Sequence, residues 1–426
     1  MEPKKPFDFQ KWKIFLFAGA LLLLFTVGLL FFLRPATSES EKRELTKFPT
    51  PTGETLAFGE FFEGVSTWYA DTFPGREALV SGSLAMKSLR GIQDEVIIRP
   101  SDPTPTPNPD GETTDSEDTT PIERLGGVYL KGKTAYEIYG ESREQSAEYA
   151  ALISKAAAQL SGKATVYDLI VPLSSNVNLS AAEQASIGCS DADAAIDRMF
   201  SAMQGVKTVE VLDLLKSHKN EYLYFRTDHH WTALGAYYSY TAFCKAAGIS
   251  PKSLSDWQKY EFQGFLGTLY NEAGKPSVLT NNPDTVEAWV PNGTNDIYIT
   301  DKNGERSRYR SGVVRVDTDK FYAAAGSKYN CFIMGDNPLS EIHNETLHDG
   351  SSIIVVKESF GNAFVPFLVD HYEYVYVVDY RYFTPTTGKT LSQFVAETGA
   401  KNVLFINNLT ATSSPSRIGE LERLLK

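Results

Sequence analysis

The stretch Ile353-Ile354-Val355-Val356-Lys357-Glu358-Ser359-Phe360-Gly361-Asn362 decides the fold. Four β-branched residues in a row read as a central parallel strand buried on both faces, since a strand open to water on one side would alternate. A serine, a glycine and an asparagine follow, then a largely apolar run over 363–369. Strand, tight turn and helix in that order place Ser359 at the carboxyl end of a strand, where open α/β sheets put their sites. Gly361 permits close backbone approach. The N–H groups opening the new helix are candidates to hold an oxyanion, and Asn362 adds a side-chain donor. The competing reading of Ser359 is a plain helix cap, the commoner role for a serine after a strand.

The segments around this strand support a sheet. Short strands with a turn at Gly132 are expected over 126–138, a helix over 143–160, and a buried strand from Val166 to Val171 ending at Pro172. A helical pattern over 181–203 and a strand over 208–212 follow. Further strands, Tyr374 to Val378 and Val403 to Ile406, end at Asp379-Tyr380-Arg381 and Asn407-Asn408, polar residues at the same edge as Ser359. The alternation predicts an α/β fold with a mostly parallel sheet flanked by helices. Arg381 is the best basic candidate for recognising substrate or acyl group, with a structural ion pair as the alternative. Residues 256–330 lose the alternation. Asn303-Gly304 between Ile297-Tyr298-Ile299 and 309–316 is a good hairpin turn, which predicts a small antiparallel insertion beside the site.

A second motif, Thr227-Asp228-His229-His230-Trp231-Thr232, gives the serine a reaction. On an extended segment Asp228 and His230 point to one face. A carboxylate there fixes the tautomer and orientation of the imidazole, which is half of a nucleophilic triad. Alone, the motif also reads as a buried hydrogen bond at a helix start, or as a metal pair using both histidines. Thr232 is placed to cap a helix running to about Ala247, with Leu234, Tyr237, Tyr238, Thr241 and Cys244 as its apolar side. With Ser359 downstream, Asp228 and His230 become two-thirds of a triad, His229 becomes a substrate-facing or supporting group, and Trp231 packs beneath. A metal-dependent phosphoesterase needs further ligands on other strands. His218, His343, His348 and His371 are scattered, so no metal and no cofactor is expected.

Composition sets the outer limits. At 426 residues the chain can bury one large core or two modest ones. A net charge of −12 argues against nucleic acid as a partner, because phosphates want clustered Lys and Arg. Cys189, Cys244 and Cys331 form neither a metal pattern nor a disulfide framework; three buried reduced thiols are expected, with one disulfide and one free thiol as the alternative. Residues 14–33 carry no charge and are long enough to span a bilayer, with Lys4, Lys5, Lys11 and Lys13 before them. This predicts a cytoplasmic tail at 1–13, an uncleaved transmembrane helix at 14–33, a tether at 34–47 and an extracytoplasmic domain at 48–426, with a cleaved signal peptide as the alternative. Amphipathic helical spacing follows from Phe58 to Tyr69. Residues 101–122, rich in Pro, Thr and acidic side chains, read as a disordered insert.

The residues also carry a resemblance. Asp228-His229-His230-Trp231, Lys357-Glu358-Ser359-Phe360-Gly361-Asn362 and Asp379-Tyr380-Arg381-Tyr382-Phe383 resemble the bacterial DHHW family. Arg43-Glu44-Leu45, Asp71-Thr72-Phe73-Pro74-Gly75-Arg76, Gly267-Thr268-Leu269-Tyr270 and Met334-Gly335-Asp336-Asn337-Pro338 extend the likeness over about 43–410, without the insert. That family is similar to the alginate O-acetyltransferases of the periplasm, so the resemblance implies an SGNH-hydrolase-like fold. It further implies Asp228 and His230 as the Asp-x-His pair and Ser359 as the nucleophile. Relatives commonly carry Asp where this chain has Glu358, and the alginate enzymes have a residue other than His at the place of His229. The implied activity is O-acetyl transfer to an exopolysaccharide or cell-wall glycan, with a multi-pass membrane acyltransferase as the partner supplying acetyl groups. The alternatives are a glycan acetylesterase, or a catalytically silent glycan-binding module rich in Tyr and Phe. Geometry separates them: an enzyme needs His230 within hydrogen-bond reach of both Ser359 and Asp228.

Overall fold

The computed structural model describes residues 120–426 continuously and, before them, positions 19, 34, 37–38, 43–45, 47–51, 65, 68–69, 72–74 and 97–98. The expected cytoplasmic tail and most of the 14–33 span, the tether, the 58–69 segment and the insert lie outside the described residues. Among the described residues no helix is long and apolar enough to cross a membrane. The chain forms two compact units, 1–93 and 94–426. In the first, the Arg34 guanidinium lies 3.8 Å from the centroid of the Trp68 ring and donates to the Thr72 hydroxyl at 2.6 Å.

In the second unit a two-residue strand, Ile97–Ile98, pairs with an antiparallel meander of β1 (Ile122–Leu125), β2 (Val128–Lys131) and β3 (Thr134–Tyr136). Its tight turns use Gly126 and Gly132 in the left-handed region, at φ 60° and 58°. Ile122 is fully buried in β1, so the expected insert ends before it. Helix α1 (Arg143–Gln159) is capped by Ser142, whose hydroxyl accepts the Gln145 N–H, and leads into β4 (Thr165–Val171). The single helix expected at 181–203 is two, α2 (Ala181–Ser186) and α3 (Ala192–Ala202), separated where Gly188 takes φ 79°. The strand expected at 208–212 is β5 (Val206–Thr208). Leu212 instead opens a short helix, Leu212–Ser217, that buries Leu212 and Leu215 at i, i+3.

Thr232 caps α4 (Ala233–Ala247) as expected, but the buried face of that helix is Ala236, Tyr240, Phe243 and Cys244. Leu234, Tyr237, Tyr238 and Thr241 are only half-buried. A helix apolar nearly all round does not reveal by spacing which side packs. Strands β6 (Gln258–Phe265) and β7 (Asp284–Val290) form a separate antiparallel pair. Then follow β8 (Ile297–Thr300), β9 (Arg306–Tyr309), β10 (Leu339–His343), β11 (Ser352–Lys357), β12 (Tyr374–Asp379) and β13 (Asn402–Asn408).

The main sheet has eight strands in the order β9-β8-β10-β12-β11-β13-β4-β5. β12, β11, β13, β4 and β5 run parallel, whereas β10, β8 and β9 add on antiparallel. The expected insertion is therefore partly the sheet's own edge, and the sheet is mixed. β11 is fully buried along its length, as its four β-branched residues predict. The parallel strands deliver Lys357, Asp379, Asn408 and Val171 to one edge, and the site lies there. Cys244 and Cys331 are buried, Cys189 is partly exposed, and all three are free.

Candidate active site

The turn after β11 and the loop before α4 meet side chain to side chain. His230 Nε2 lies 2.7 Å from Ser359 Oγ, and His230 Nδ1 lies 2.6 Å from Asp228 Oδ1. Asp228 and His230 are buried and Ser359 keeps partial exposure. With Nδ1–H donating to Asp228, Nε2 is the acceptor for the serine proton.

Asp228 is the most heavily bonded group of the three. Oδ1 also accepts the His230 backbone N–H at 3.0 Å, and Oδ2 accepts the Thr268 N–H at 2.8 Å and the Thr268 hydroxyl at 3.1 Å. Burial alone would raise its pKa. The neighbouring imidazoles and these hydrogen bonds outweigh it and hold the carboxyl well below the usual carboxylate range. Gly267 makes the fit possible, because a Cβ there would stand 2.1 Å from Asp228 Oδ2.

A profile of DHHW proteins matches residues 41–101 and 93–378, which takes in all three of these side chains. The chain belongs to the DHHW family. A DHHW family protein from Eubacterium siraeum aligns at 25% identity and a TM-score of 0.59, over 75% of this chain and 100% of its own. Bacillus cereus PatB1, solved with a sulfonyl adduct, shares the fold at a TM-score of 0.55 and 16% identity, over 68% of this chain and 98% of its own. The O-acetyltransferase domain of Pseudomonas putida AlgJ aligns more loosely, at a TM-score of 0.36 and 13% identity, over 71% and 98% of the two chains. Comparison with curated proteins gave no match.

The four letters of the DHHW motif divide the work. Asp228 and His230 are the pair. His229 Nδ1 bonds Thr268 Oγ1 at 2.5 Å and its ring lies 4.0 Å from that of His230. Buried Trp231 donates its indole N–H to the Phe360 carbonyl at 2.9 Å, pinning the nucleophile turn to the motif. Asp228, His229 and His230 do lie within 4.8 Å of one another. Asp228 and both nitrogens of His230 are nevertheless engaged in hydrogen bonds, and His229 Nδ1 is taken by Thr268, so the group does not present three open metal ligands.

The turn itself departs from the sequence reading. The Gly361 N–H donates to the Glu358 carbonyl at 3.0 Å and the Phe360 N–H to the Glu358 carboxylate at 3.2 Å, so neither is free for an oxyanion. Among the described residues the Ser359 N–H has no partner, which leaves it as the available backbone donor. A Cβ on Gly361 would meet Lys357 Cβ at 2.6 Å, so the bare glycine makes room for Lys357. The Asn362 Nδ2 donates to Asp336 at 3.0 Å, while its buried Oδ1 has no partner. Arg381 is spent within the protein, donating from Nε and its terminal nitrogen to Asp379 and pairing with Asp336 at 2.7 Å. Lys357, fully buried, bonds Asp336 at 2.9 Å and Asp379 at 3.1 Å. Two cations and two carboxylates thus close into a neutral network behind the nucleophile, which is the ion-pair alternative for Arg381 rather than substrate recognition.

Two contributors carried no legible signal. Tyr329 stacks on His230 at 4.1 Å between centroids and donates its hydroxyl to the Ser359 carbonyl at 3.1 Å. Glu358 accepts the Asn408 N–H at 3.0 Å and lies 3.2 Å from Ser359 Oγ, tying the turn to the end of β13. Glu137, just after β3, is partly buried, and its pKa is raised to about 7, chiefly by desolvation.

Proposed function

We propose that this DHHW protein is a serine acyl-transfer enzyme, an O-acetyltransferase acting on an exopolysaccharide or cell-wall glycan. The single observation that carries the reading is the unbroken Asp228–His230–Ser359 relay at 2.6 and 2.7 Å. Ser359 Oγ attacks the donor's acyl carbon as His230 Nε2 takes its proton, and Asp228 holds the resulting imidazolium. The Ser359 N–H faces the oxyanion, where one well-placed donor contributes about 3 kcal/mol. Collapse expels the donor alcohol, which receives the proton from His230 and leaves an acyl-Ser359 ester. An acceptor hydroxyl, deprotonated by His230, then attacks that ester and restores the serine. Water in place of the glycan makes the same site an acetylesterase.

Residues 14–33 fit this reading as a single-pass anchor with the N-terminus inside, placing the site outside the cell. Acyl groups then have to cross the bilayer, which calls for a multi-pass acyltransferase partner. A silent glycan-binding module is disfavoured because it has no use for a serine hydrogen-bonded to an oriented imidazole. PatB1 has been solved as a sulfonyl adduct, and a sulfonyl fluoride offered to this chain should label Ser359. The test is turnover of a nitrophenyl acetate by the wild type and by Ser359→Ala. Loss of both turnover and sulfonyl labelling in the variant is expected, and equal release by the two proteins would leave only the binding reading.

A further inference from the structure

His229 and Tyr329 touch the base of the relay without joining its proton path. The His229 ring lies 4.0 Å from that of His230 at an interplanar angle of 34°, and the Tyr329 ring lies 4.1 Å from it at 16°. Two rings stacked that closely on one face of an imidazole would touch each other. Among the described residues no ring contact joins Tyr329 to His229, so the two cover opposite faces of His230. Phe360 lies 4.8 Å from His230 and 5.8 Å from His229, which closes the His229 side.

Each plate is itself braced. Tyr329, in the helical turn Ala325–Cys331, meets Phe225 and Phe332 edge to face and donates its hydroxyl to the Ser359 carbonyl. His229 Nδ1 bonds Thr268 Oγ1, and that hydroxyl donates to Asp228 Oδ2 at 3.1 Å. A hydroxyl that spends its proton on the carboxylate accepts from the imidazole, so His229 carries a proton on Nδ1. His229 therefore serves both members of the pair, the ring of one directly and the carboxylate of the other through Thr268.

The hydrogen bonds to Asp228 and Ser359 fix the two nitrogens of His230 but leave its ring free to tilt about the line joining them. The plates remove that freedom. They matter most once Ser359 is acylated, because an ester oxygen has no proton to give Nε2 and the 2.7 Å bond that aims it is lost. Until an acceptor hydroxyl arrives, Asp228 and the two plates hold the imidazole. On the acyl-transfer reading above, we propose that His229 and Tyr329 are positioning residues that keep His230 aimed through the acyl-enzyme stage, and so govern deacylation more than acylation.

The test uses the full-length chain and a nitrophenyl acetate, whose released nitrophenolate reports acylation as a burst and deacylation as the steady state. Tyr329→Leu removes one plate. His229→Asn removes the other, while its amide NH₂ stays near the place of Nδ1 to serve Thr268. Each should keep the burst rate and the rate of sulfonyl labelling at Ser359 within about threefold of wild type, and lower the steady state roughly 10–100-fold. Tyr329→Phe, which keeps the ring, should hold the steady state within about threefold of wild type. Equal slowing of both phases, or a steady state that neither removal changes, would overturn the assignment. So would an effect confined to KM for a sugar acceptor, the mark of a substrate-facing His229. Should a variant fail to fold, proton NMR of the wild type decides. Ring protons of His230 held between two plates resonate upfield of those of exposed His348, and an unshifted signal removes the stack. A wild type with neither burst nor label sinks the transfer reading and the deacylation role with it. A labelled wild type whose plate variants behave like it sinks the role alone.

Discussion

Asp228 receives four hydrogen bonds from three directions, so its oxygens are fixed before any substrate arrives. Replacing it with asparagine tests orientation separately from shape. The oxygen of the new amide can still accept from His230 Nδ1–H, but its NH₂ group, placed toward Thr268, then meets an N–H donor. An amide flipped to avoid this offers a donor to His230 instead. The imidazole then carries its proton on Nε2, where it cannot accept from Ser359. Asp228→Asn should therefore keep KM for a nitrophenyl acetate within about twofold and lower kcat by roughly 10³–10⁴. A kcat within tenfold of wild type would show that Asp228 is only a structural buried group. At this scale the sequence was informative where chemistry is local: the i, i+2 spacing names Asp228 and His230, and a serine after a β-branched run names Ser359, the three side chains that the fold brings into hydrogen-bond contact. It was silent on Tyr329 and Glu358, because a ring that stacks on His230 and a carboxylate that braces a turn look like any other Tyr and Glu until the chain is folded. It left Arg381 open between substrate and ion pair and Gly361 open as an oxyanion donor, because the partners that engage them, Asp336 and Asp379 for the first and the Glu358 carbonyl for the second, appear only in the fold.

Among the elements, β4 shows what a buried strand can conceal. Its run Val166-Tyr167-Asp168-Leu169-Ile170-Val171 is apolar except for Asp168, which is fully buried between the parallel neighbours β13 and β5. Its Oδ1 accepts the Tyr149 hydroxyl at 2.6 Å and its Oδ2 has no partner. Burial raises its pKa to about 7, against a smaller opposing effect from the Tyr149 hydrogen bond. The folded chain therefore keeps a proton that the unfolded chain releases near pH 4. Between those values the folded state binds more protons, so the contribution of Asp168 to stability is greatest below about pH 4 and falls as pH rises toward 7. Glu137, raised to about 7 from 4.5, adds a slope of the same sign over a narrower window. Asp168→Asn should remove its share of the slope, up to a few kcal/mol between pH 4.5 and 8. Denaturant unfolding at both pH values checks this: the variant should gain on the wild type at pH 8 relative to pH 4.5. An equal difference at the two pH values would show that Asp168 is ionised in the fold. Strand existence was legible here because hydrophobic runs announce buried strands. Extents were less so: β5 stops early because Leu212 and Leu215 recur at helical spacing, and α4 is apolar on too many sides to reveal which one packs.

For the molecule as a whole, the proposed reaction depends on joining two segments 129 residues apart, and Trp231 bridges them. Its indole N–H bonds the Phe360 carbonyl, and its ring stacks toward Phe364, in the helix that opens just after the nucleophile turn. The sheet order brings β11 to the middle, but sheet order alone does not set the nucleophile turn against the histidine loop to a few tenths of an ångström. The sequence could suggest that both segments belong to one site, since each is a compact motif. It did announce the β8–β9 hairpin through Asn303-Gly304, but it could not show that β10 joins this hairpin to the main sheet, nor which contact locks the halves together. Trp231→Phe separates the lock from the packing, because it keeps an aromatic ring and leaves the buried Phe360 carbonyl without its donor. An unpaired buried carbonyl costs about 1–3 kcal/mol, which unfolding in denaturant should reveal. A shift of the serine by even half an ångström weakens the 2.7 Å contact with His230, so kcat for ester turnover should fall by roughly 10–100-fold. Sulfonyl labelling of Ser359 should slow in parallel, since it depends on the same proton transfer. A variant that loses stability but keeps kcat and labelling rate would show that the two halves are held in register by the sheet and by Tyr329, with Trp231 serving only as core.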